Sequence, residues 1–207
     1  MHKVIIVGAG GLASEVCSQL LGDYAHAREW VVEGFIDDRY QPGSQYLDLP
    51  ILSSIKDHQP QPDNLYVIGI AAPHIKKSII DALVQKGAEF IPVCTRVTKG
   101  IRTSLGKTFY GLGAAIGTNS VIGDYNYIES EVLIGHDVNI GRYCHIGPRT
   151  FIAGDVRIGD FVMIHGAASI ARGVQIGHNA VIGLGAVVMR DVPENAVVMG
   201  NPAKQIK

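Results

Sequence analysis

The pair His136-Asp137 is a place in this sequence where adjacent side chains could carry out acid–base chemistry. A neutral imidazole accepts a proton near pH 7, and a carboxylate on the other ring nitrogen fixes the tautomer and makes the ring more basic. Such a pair can take a proton from an amine or a hydroxyl that attacks an electrophile. The same residues also suit a solvated corner, where the aspartate forms the turn. The residues alone leave both interpretations open.

A glycine-rich segment near the start of the chain could bind an anion. The motif Gly8-x-Gly10-x-x-Ala13 follows a continuous β-branched run, Val4–Val7, and precedes a helix predicted from about residue 14 to 21. Backbone amides at a helix N-terminus can receive a phosphate, and Asp37 or Asp38 ends the next predicted strand, as in a dinucleotide fingerprint. The alternatives are glycines that serve only a tight turn, and nicotinamide redox chemistry, for which the domain is short. We favour a nucleotide-linked ligand other than NAD.

Strands that alternate with helices position this motif. Further strands are predicted at 31–36, 65–70 and 90–93, and a second helix at 75–86. This alternation predicts a small parallel α/β domain over about residues 1–95.

A six-residue repeat positions the histidine. From Ile116 to Val188 a branched aliphatic residue occupies thirteen consecutive sixth positions, and glycine follows it eight times. A period of six does not fit a helix, but it fits a short strand followed by a tight turn. The aliphatic side chain should point inward, and the glycine should supply the unusual backbone angles of the corner. The sequence therefore predicts a β-solenoid, with an imperfect first coil over 97–113.

The hexads, of the form Ile-Gly-x-x-small-x, resemble the repeat of the left-handed parallel β-helix acyltransferases. A short Rossmann-like domain before this β-helix is similar to the bacterial nucleotide-sugar acetyltransferases of the sialic acid O-acetyltransferase type. That family includes N-acetyltransferases of UDP-, dTDP- or GDP-linked 4-amino-6-deoxy sugars. The resemblance implies an α/β Rossmann-like domain (1–95), an all-β left-handed parallel β-helix (96–193) and a C-terminal tail (194–207). It also implies three hexads per coil, so that residues eighteen apart stack.

The resemblance assigns roles in acetyl transfer. The family's catalytic histidine follows an aliphatic residue in a hexad and precedes an acid, which implies His136 as general base and Asp137 as its partner. Gly154, eighteen residues further on, would then leave room for the thioester of acetyl-CoA, and its N–H could face the oxyanion. His145 occupies the family position that contacts the acetyl group. The other residues implied for acetyl-CoA are Gly166, Leu184, Gly185 and Lys204.

The resemblance also assigns the nucleotide sugar to the N-terminal domain. The family's glycine loop and acidic pair hold this substrate, and many members carry a histidine in the loop where this chain has Leu12. The substrate-binding residues implied here are Gly10, Gly11, Asp37, Asp38, Ala71 and Lys76.

Composition excludes several other classes of function. A formal net charge of −1 argues against nucleic-acid binding, and no apolar stretch approaches the length of a membrane span. Three cysteines without metal or disulfide spacing favour a reducing cytoplasm. The histidines lack the His-x4-His spacing of the β-helical γ-class carbonic anhydrases, so we expect no metal. The family implies a homotrimer; O-acetylation of a sugar hydroxyl and a non-enzymatic scaffold with a nucleotide-binding head remain alternatives.

Overall fold

The computed structural model describes residues 1–94 and 96–207 and divides into two compact units, Met1–Val93 and Cys94–Lys207. The domain boundary predicted at residue 95 falls on Thr95, which lies outside the described residues. Neither of the two helices found in the described ranges has both the length and the apolar character needed to cross a bilayer.

The first unit is an α/β domain, as the alternating pattern predicts, and its one sheet has six strands where the sequence predicts about four. The sheet order is β3-β4-β2-β1-β5-β6, and all neighbours are parallel except β3 and β4. The central strand β1 is buried from its third residue onward, which explains its β-branched run. The elements are β1 (His2–Val7), α1 (Gly11–Leu21), β2 (Trp30–Ile36), β3 (Gln45–Tyr46), β4 (Leu49–Ser53), β5 (Asn64–Ile68), α2 (Pro73–Gln85) and β6 (Glu89–Phe90).

Both helices begin earlier than the sequence predicts. Helix α1 starts at Gly11, with Gly10 as its N-cap residue, so the glycine loop itself forms the first helical turn. Helix α2 starts at Pro73, whose fixed φ angle and missing N–H suit the first turn of a helix. The hydrophobic periodicity that we used begins only after these turns.

The second unit is a parallel β-helix with three faces, and each coil adds one short strand, usually of two residues, to each face. The first face contains β7 (Thr98–Lys99), β10 (Ala115–Ile116), β13 (Leu133–Ile134), β16 (Phe151–Ile152), β19 (Ser169–Ile170) and β22 (Val187–Val188). The second face contains β8 (Ser104–Leu105), β11 (Val121–Ile122), β14 (Asn139–Ile140), β17 (Arg157–Ile158) and β20 (Gln175–Ile176). The third face contains β9 (Phe109–Tyr110), β12 (Tyr127–Ile128), β15 (His145–Ile146), β18 (Met163–Ile164), β21 (Val181–Ile182), β23 (Val197–Met199) and β24 (Lys204–Gln205).

The core of the β-helix is the aliphatic ladder that the hexads predict. In the register of the first face, Ile116, Ile134 and Ile152 pair in order, which confirms the eighteen-residue stacking. From Ile116 to Val188 every ladder residue is at most 5% exposed. The one irregular small position, Asn126, is fully buried, and its amide bonds to the backbone of Gly123, Gly141 and Cys144. This asparagine therefore links coils through satisfied hydrogen bonds.

The role predicted for the hexad glycines is wrong. The left-handed corner residues are not these glycines but residues two positions further on, such as Asn119 (φ 58°) and Asp137 (φ 57°). A Cβ atom on Gly117 or Gly135 would instead lie 2.5 or 2.6 Å from the backbone of the next coil. The glycines are thus required because consecutive coils approach closely at the corners.

Three corners separate the faces. The first corner follows the first face (117–120, 135–138, 153–156, 171–174), and the third corner follows the third face (111–114, 129–132, 147–150, 165–168, 183–186). At the end of the chain, β24 runs antiparallel to β23 and covers the last strand of the third face.

Candidate functional site

His136 and Asp137 form a hydrogen-bonded pair on the first corner. The Nδ1 atom of His136 lies 2.7 Å from Oδ2 of Asp137, and both side chains are about half exposed. The carboxylate is held from the other side by Asn119, one coil earlier, whose Nδ2 donates to Oδ1 over 3.1 Å. Arg102 donates from Nε to the side-chain oxygen Oδ1 of Asn119 over 2.7 Å. A chain of hydrogen bonds therefore fixes the orientation of the carboxylate.

These contacts define how the pair can act. Hydrogen bonds from His136 and then from Asn119 lower the pKa of Asp137 below its usual value of 3.8. The carboxylate is therefore ionised at neutral pH and accepts the Nδ1–H of the ring. This leaves the lone pair of a neutral imidazole on Nε2, where a general base needs it.

Gly154 lies directly against the reactive edge of this imidazole. A Cβ atom at Gly154 would stand 2.7 Å from Nε2 and 2.8 Å from Cε1 of His136. The stacking predicted from the eighteen-residue spacing is therefore present. The equivalent positions also hold Thr118, two coils before Gly154, and Arg172, one coil after it, so the corner itself accepts side chains. The glycine is needed here because His136 occupies the space above it.

His136, Asp137 and Asp155 also form the one group, in residues 1–94 and 96–207, with metal-ligand atoms within 4.8 Å of one another. All three residues are exposed. Asp155 accepts a hydrogen bond from Nε of Arg172 at 2.7 Å, and Asp137 is engaged by the imidazole. These partners account for the acidic cluster without an ion.

Three of the residues implied for acetyl-CoA lie on the third corner. Gly166 and Leu184 line a groove of about 330 Å³ together with Pro148 and Arg149. Gly185 lies beside them and donates its N–H to the carbonyl of Gly166 at 3.0 Å. A Cβ atom on Gly166 would come within 3.2 Å of Pro148, so the glycine keeps the floor of the groove low.

His145 lies on the third face beside this corner, and Glu129 holds its ring. Nε2 of His145 is 2.6 Å from Oε1 of Glu129, and the two side chains are 13% and 16% exposed. The Nδ1 atom is buried and has no hydrogen-bond partner in the described part of the chain. The ring also stacks on Tyr127 at 5.6 Å. Nε2 is engaged by Glu129 and Nδ1 is buried, so the contact of His145 with the acetyl group stays a prediction.

Lys204 is placed apart from both corners. It lines a cavity of about 800 Å³ at the end of the β-helix together with Arg190, Pro202 and Ala203. The structure thus distributes the residues implied for acetyl-CoA over the first corner, the third corner and the chain end, rather than in one pocket of a single chain.

A cavity of about 420 Å³ lies at the glycine loop of the α/β domain. Of the residues predicted to bind substrate, four line it: Gly10, Gly11, Asp37 and Asp38. The walls include Leu12, Arg39, Ile55, Gly69, Ile70, Ile75 and Ile79. The carbonyl of Gly10 accepts a hydrogen bond from the Tyr46 hydroxyl at 3.1 Å, which fixes the loop from outside.

Asp37 and Arg39 form an ion pair in this cavity. The carboxylate accepts two side-chain hydrogen bonds from Arg39, at 3.0 and 2.8 Å, and a backbone one from Ala9 at 2.7 Å. Burial alone would raise the pKa of Asp37, but the hydrogen bonds from Arg39 and Ala9 outweigh burial and lower it. Arg39 was not predicted as a site residue, although it lies two residues after Asp37, the acid that follows β2.

Two other residues that were predicted to bind substrate, Lys76 and Ala71, do not line this cavity. Lys76 is fully buried in α2, so its ammonium group is withheld from solvent, and it does not line the cavity. Ala71 is also not among the lining residues. The predicted contact of Lys76 with substrate is not supported by this burial.

Gly69 lines the cavity but was not predicted from the sequence. A Cβ atom there would lie 2.7 Å from Cβ of Ala13, so the glycine lets β5 approach α1.

Comparison with known proteins agrees with this arrangement. The family model of the PglD N-terminal domain matches residues 3–83, and that of the bacterial transferase hexapeptide, with six repeats, matches residues 114–154. No curated protein sequence matches the chain.

Solved structures match the chain over its whole length. A histidine-to-asparagine mutant of perosamine N-acetyltransferase from Caulobacter crescentus, in complex with CoA and GDP-perosamine, has a TM-score of 0.88 and 25% identity, covering 100% of this chain and 98% of that chain. WeeI from Acinetobacter baumannii AYE has a TM-score of 0.90 and 24% identity, with full coverage of both chains. The acetyltransferase domain of PglB from Neisseria gonorrhoeae FA1090, in complex with acetyl coenzyme A, has a TM-score of 0.87 and 23% identity over 99% of both chains.

These matches confirm the predicted fold, an N-terminal Rossmann-like α/β domain followed by a left-handed parallel β-helix. One family model matches within each structural unit, and His136 and Asp137, the dyad, lie in the matched repeats. The chain therefore combines a segment that matches the PglD N-terminal domain with hexapeptide repeats of the bacterial transferase type, and it is an acyltransferase.

Proposed function

We propose that this protein transfers an acetyl group from acetyl-CoA to the amino group of a nucleotide-linked sugar of the 4-amino-6-deoxy type. The observation that carries the proposal is the imidazole of His136, hydrogen-bonded through Nδ1 to Asp137 and presenting Nε2 over Gly154. The similarity to the perosamine N-acetyltransferase, which was crystallised with CoA and GDP-perosamine, supports this substrate class.

In this proposal His136 moves the proton. Nε2 accepts a proton from the sugar amine as its nitrogen forms a bond to the thioester carbon, and Asp137 stabilises the resulting imidazolium. Nε2 then returns the proton to the sulfur as the carbon–sulfur bond breaks, so the products are an amide and free CoA. Acetyl-CoA supplies the acetyl group as a thioester, and no covalent intermediate on the protein is required.

Gly154 contributes space and a hydrogen-bond donor. A Cβ atom at this position would lie 2.7 Å from Nε2 of His136, so the missing side chain leaves space beside the base. The N–H of Gly154 donates to no acceptor within residues 1–94 and 96–207. A donor preorganised next to the base can stabilise the oxyanion that develops on the carbonyl oxygen.

A homotrimer is part of the proposal. Gly166 and Leu184 lie on the third corner, whereas His136 lies on the first, so one β-helix alone does not bring them together. The first face between these corners bears two half-exposed apolar side chains, Leu133 and Phe151. A second copy packed on this face would cover them and could bring its third corner to the dyad.

We also propose a role for each part of the chain and a cytoplasmic location for the protein. Residues 1–95 hold the nucleotide sugar, residues 96–193 hold acetyl-CoA and carry the dyad, and the tail, 194–207, contributes Lys204 near the CoA phosphates. The free cysteines fit a cytoplasmic protein, and two of them, Cys17 and Cys144, are buried.

The test is incubation with acetyl-CoA and a panel of nucleotide-linked amino sugars, followed by mass spectrometry. A mass gain of one acetyl group that survives alkaline treatment indicates an amide, whereas loss on alkali indicates O-acetylation. Replacing the base, as His136→Ala, should lower kcat by about 10²- to 10⁴-fold. A near-normal rate in that variant would remove the proposed role. Failure of acetyl-CoA to bind in calorimetry would favour the scaffold alternative.

A further inference from the structure

The hydrogen bonds of Asp37 leave this carboxylate little capacity for a ligand. Oδ2 accepts from the backbone N–H of Ala9 at 2.7 Å and from Nη2 of Arg39 at 2.8 Å. Oδ1 accepts from the backbone N–H of Arg39 at 2.8 Å and from its Nε at 3.0 Å. These four bonds match the roughly four lone-pair sites of an ionised carboxylate. The side chain is also only 6% exposed. Asp37 therefore acts on a ligand through the groups that it holds.

The guanidinium of Arg39 is the group that remains open. Its side chain is 66% exposed although Nε and one N–H of Nη2 are bonded to Asp37. Because the guanidinium is planar and carries five N–H donors, its opposite edge, formed by Nη1 and Nη2, faces away from the carboxylate. The two bonds hold the cation in a fixed orientation, so little side-chain entropy remains to be lost on binding.

The cavity around Arg39 combines this charged edge with an apolar wall. A Cβ atom on Gly10 would lie 3.5 Å from Nη2, so the glycine leaves the guanidinium uncovered. The wall also contains Ile55, Ile70, Ile75 and Ile79. Besides the Asp37–Arg39 pair, Asp38 lines the cavity; its carboxylate is exposed, accepts one backbone N–H from Lys56 at 3.2 Å, and suits further N–H or O–H donors of a base or a sugar.

We propose that Arg39 contacts the diphosphate of the nucleotide-linked substrate and that Asp37 is a positioning residue for Arg39 and the glycine loop. This inference rests on the proposed function, because it assigns a residue to its substrate. A guanidinium fork matches two phosphate oxygens, and a base or deoxy sugar can lie against the aliphatic wall. Asp37 thus changes from a predicted direct contact to an indirect one.

Calorimetry on the full chain tests the assignment, with UDP, GDP, CDP and dTDP as probes and the nucleoside matching the best binder. Arg39→Gln should weaken the diphosphate about 10- to 100-fold, the effect of losing a charge-assisted hydrogen bond. Affinity for the nucleoside, which lacks phosphate, should stay unchanged. Arg28→Gln is the matched control, since Arg28 is an exposed arginine of the same domain that lies over the Tyr24 ring at 4.0 Å.

A double-mutant cycle separates direct contact from positioning. Asp37→Asn should weaken the diphosphate but add little when Arg39 is already replaced, since both changes remove the same contact. A direct role of Asp37 predicts equal losses in both backgrounds and a loss for the nucleoside. Because Asp37 is buried, its variant can fail to fold; the exposed Arg39→Gln then decides alone.

Two results would overturn the inference. One is a diphosphate affinity of Arg39→Gln within about twofold of wild type, and the other is an equal loss for diphosphate and nucleoside. If the wild-type protein binds diphosphates and only Arg39→Gln behaves unexpectedly, the proposed function stands without this inference. If no diphosphate binds to wild type, both are overturned.

Discussion

Gly154→Ala should inactivate the enzyme without unfolding it. The new Cβ atom would lie 2.7 Å from Nε2 and 2.8 Å from Cε1 of His136, whereas non-bonded carbon contacts are favourable at about 3.5–4.0 Å. The coils cannot separate easily, because the N–H of Asp155 bonds to the carbonyl of His136 at 3.0 Å. The imidazole must therefore retreat by roughly 1 Å, and a displacement of that size can lower the rate about 10²-fold.

The same substitution should leave stability unchanged or slightly higher. Gly154 has no left-handed φ angle, and a glycine replaced by alanine in an ordinary conformation commonly gains about 0.4–1 kcal/mol. Side chains at Thr118, two coils before Gly154, and at Arg172, one coil after it, show that the corner accepts them. We expect a wild-type melting temperature together with the lower rate.

Steady-state kinetics with free CoA as the measured product distinguishes the possible causes. Displacement of the base should lower kcat while KM for acetyl-CoA changes little, whereas obstruction of the thioester should raise that KM. In a His136→Ala background, Gly154→Ala should cost nothing further if it acts through the ring. A kcat within about twofold of wild type would refute this reasoning, as would an additive loss in the double variant.

Three further results are expected. Asn119→Gly, which keeps the left-handed corner but deletes the bond to the dyad carboxylate, should lower kcat about two- to tenfold, and Asn195→Gly at an unrelated corner should not. Burial lowers the pKa of His58 below 6.5, so His58 takes up a proton in the unfolded chain at a higher pH than in the folded one. The α/β domain should therefore lose stability as the pH falls below 6.5. Unfolding followed by fluorescence of the single tryptophan, Trp30, should show this loss, and His58→Gln should make stability depend less on pH. Gly69→Ala should destabilise the same domain by about 1–3 kcal/mol in denaturant titrations, through overpacking against α1; an unchanged midpoint would contradict that contact.

The repeat could be predicted from sequence because one strong pattern sets the fold of half the chain. A period of six with an aliphatic residue at each step fixes strand, turn and inward direction together, so the stacking of Gly154 beneath His136 follows from counting. The same count would have found Asn119, which lies eighteen residues before Asp137.

The error about the hexad glycines has a different origin. Sequence reasoning assigned them to strained backbone angles, because glycine is the usual residue there. The angles are carried by residues two positions further on, such as Asn119, Asp137 and Gly173, and the hexad glycines relieve contact between coils. A contact between coils depends on how closely they stack, and this distance is not encoded in one residue's conformational preference.

The nucleotide cavity was predicted only in part for a similar reason. The glycine motif located the loop, but whether an acidic side chain faces ligand or protein depends on its neighbours in space. Asp37 is engaged by Arg39 and Ala9, and Lys76 is buried. No period or motif distinguishes these environments from open ones.

The eighteen-residue stacking limits how this chain can change its length. Because side chains alternate between core and solvent along each strand, one inserted residue within a strand would turn the following ladder outward. Insertions can therefore persist only where a corner bulges, or as whole coils of eighteen residues. Lineages of this protein should differ in length by such blocks or by loops at corners, and the spacing between the base and the glycine beneath it should never vary.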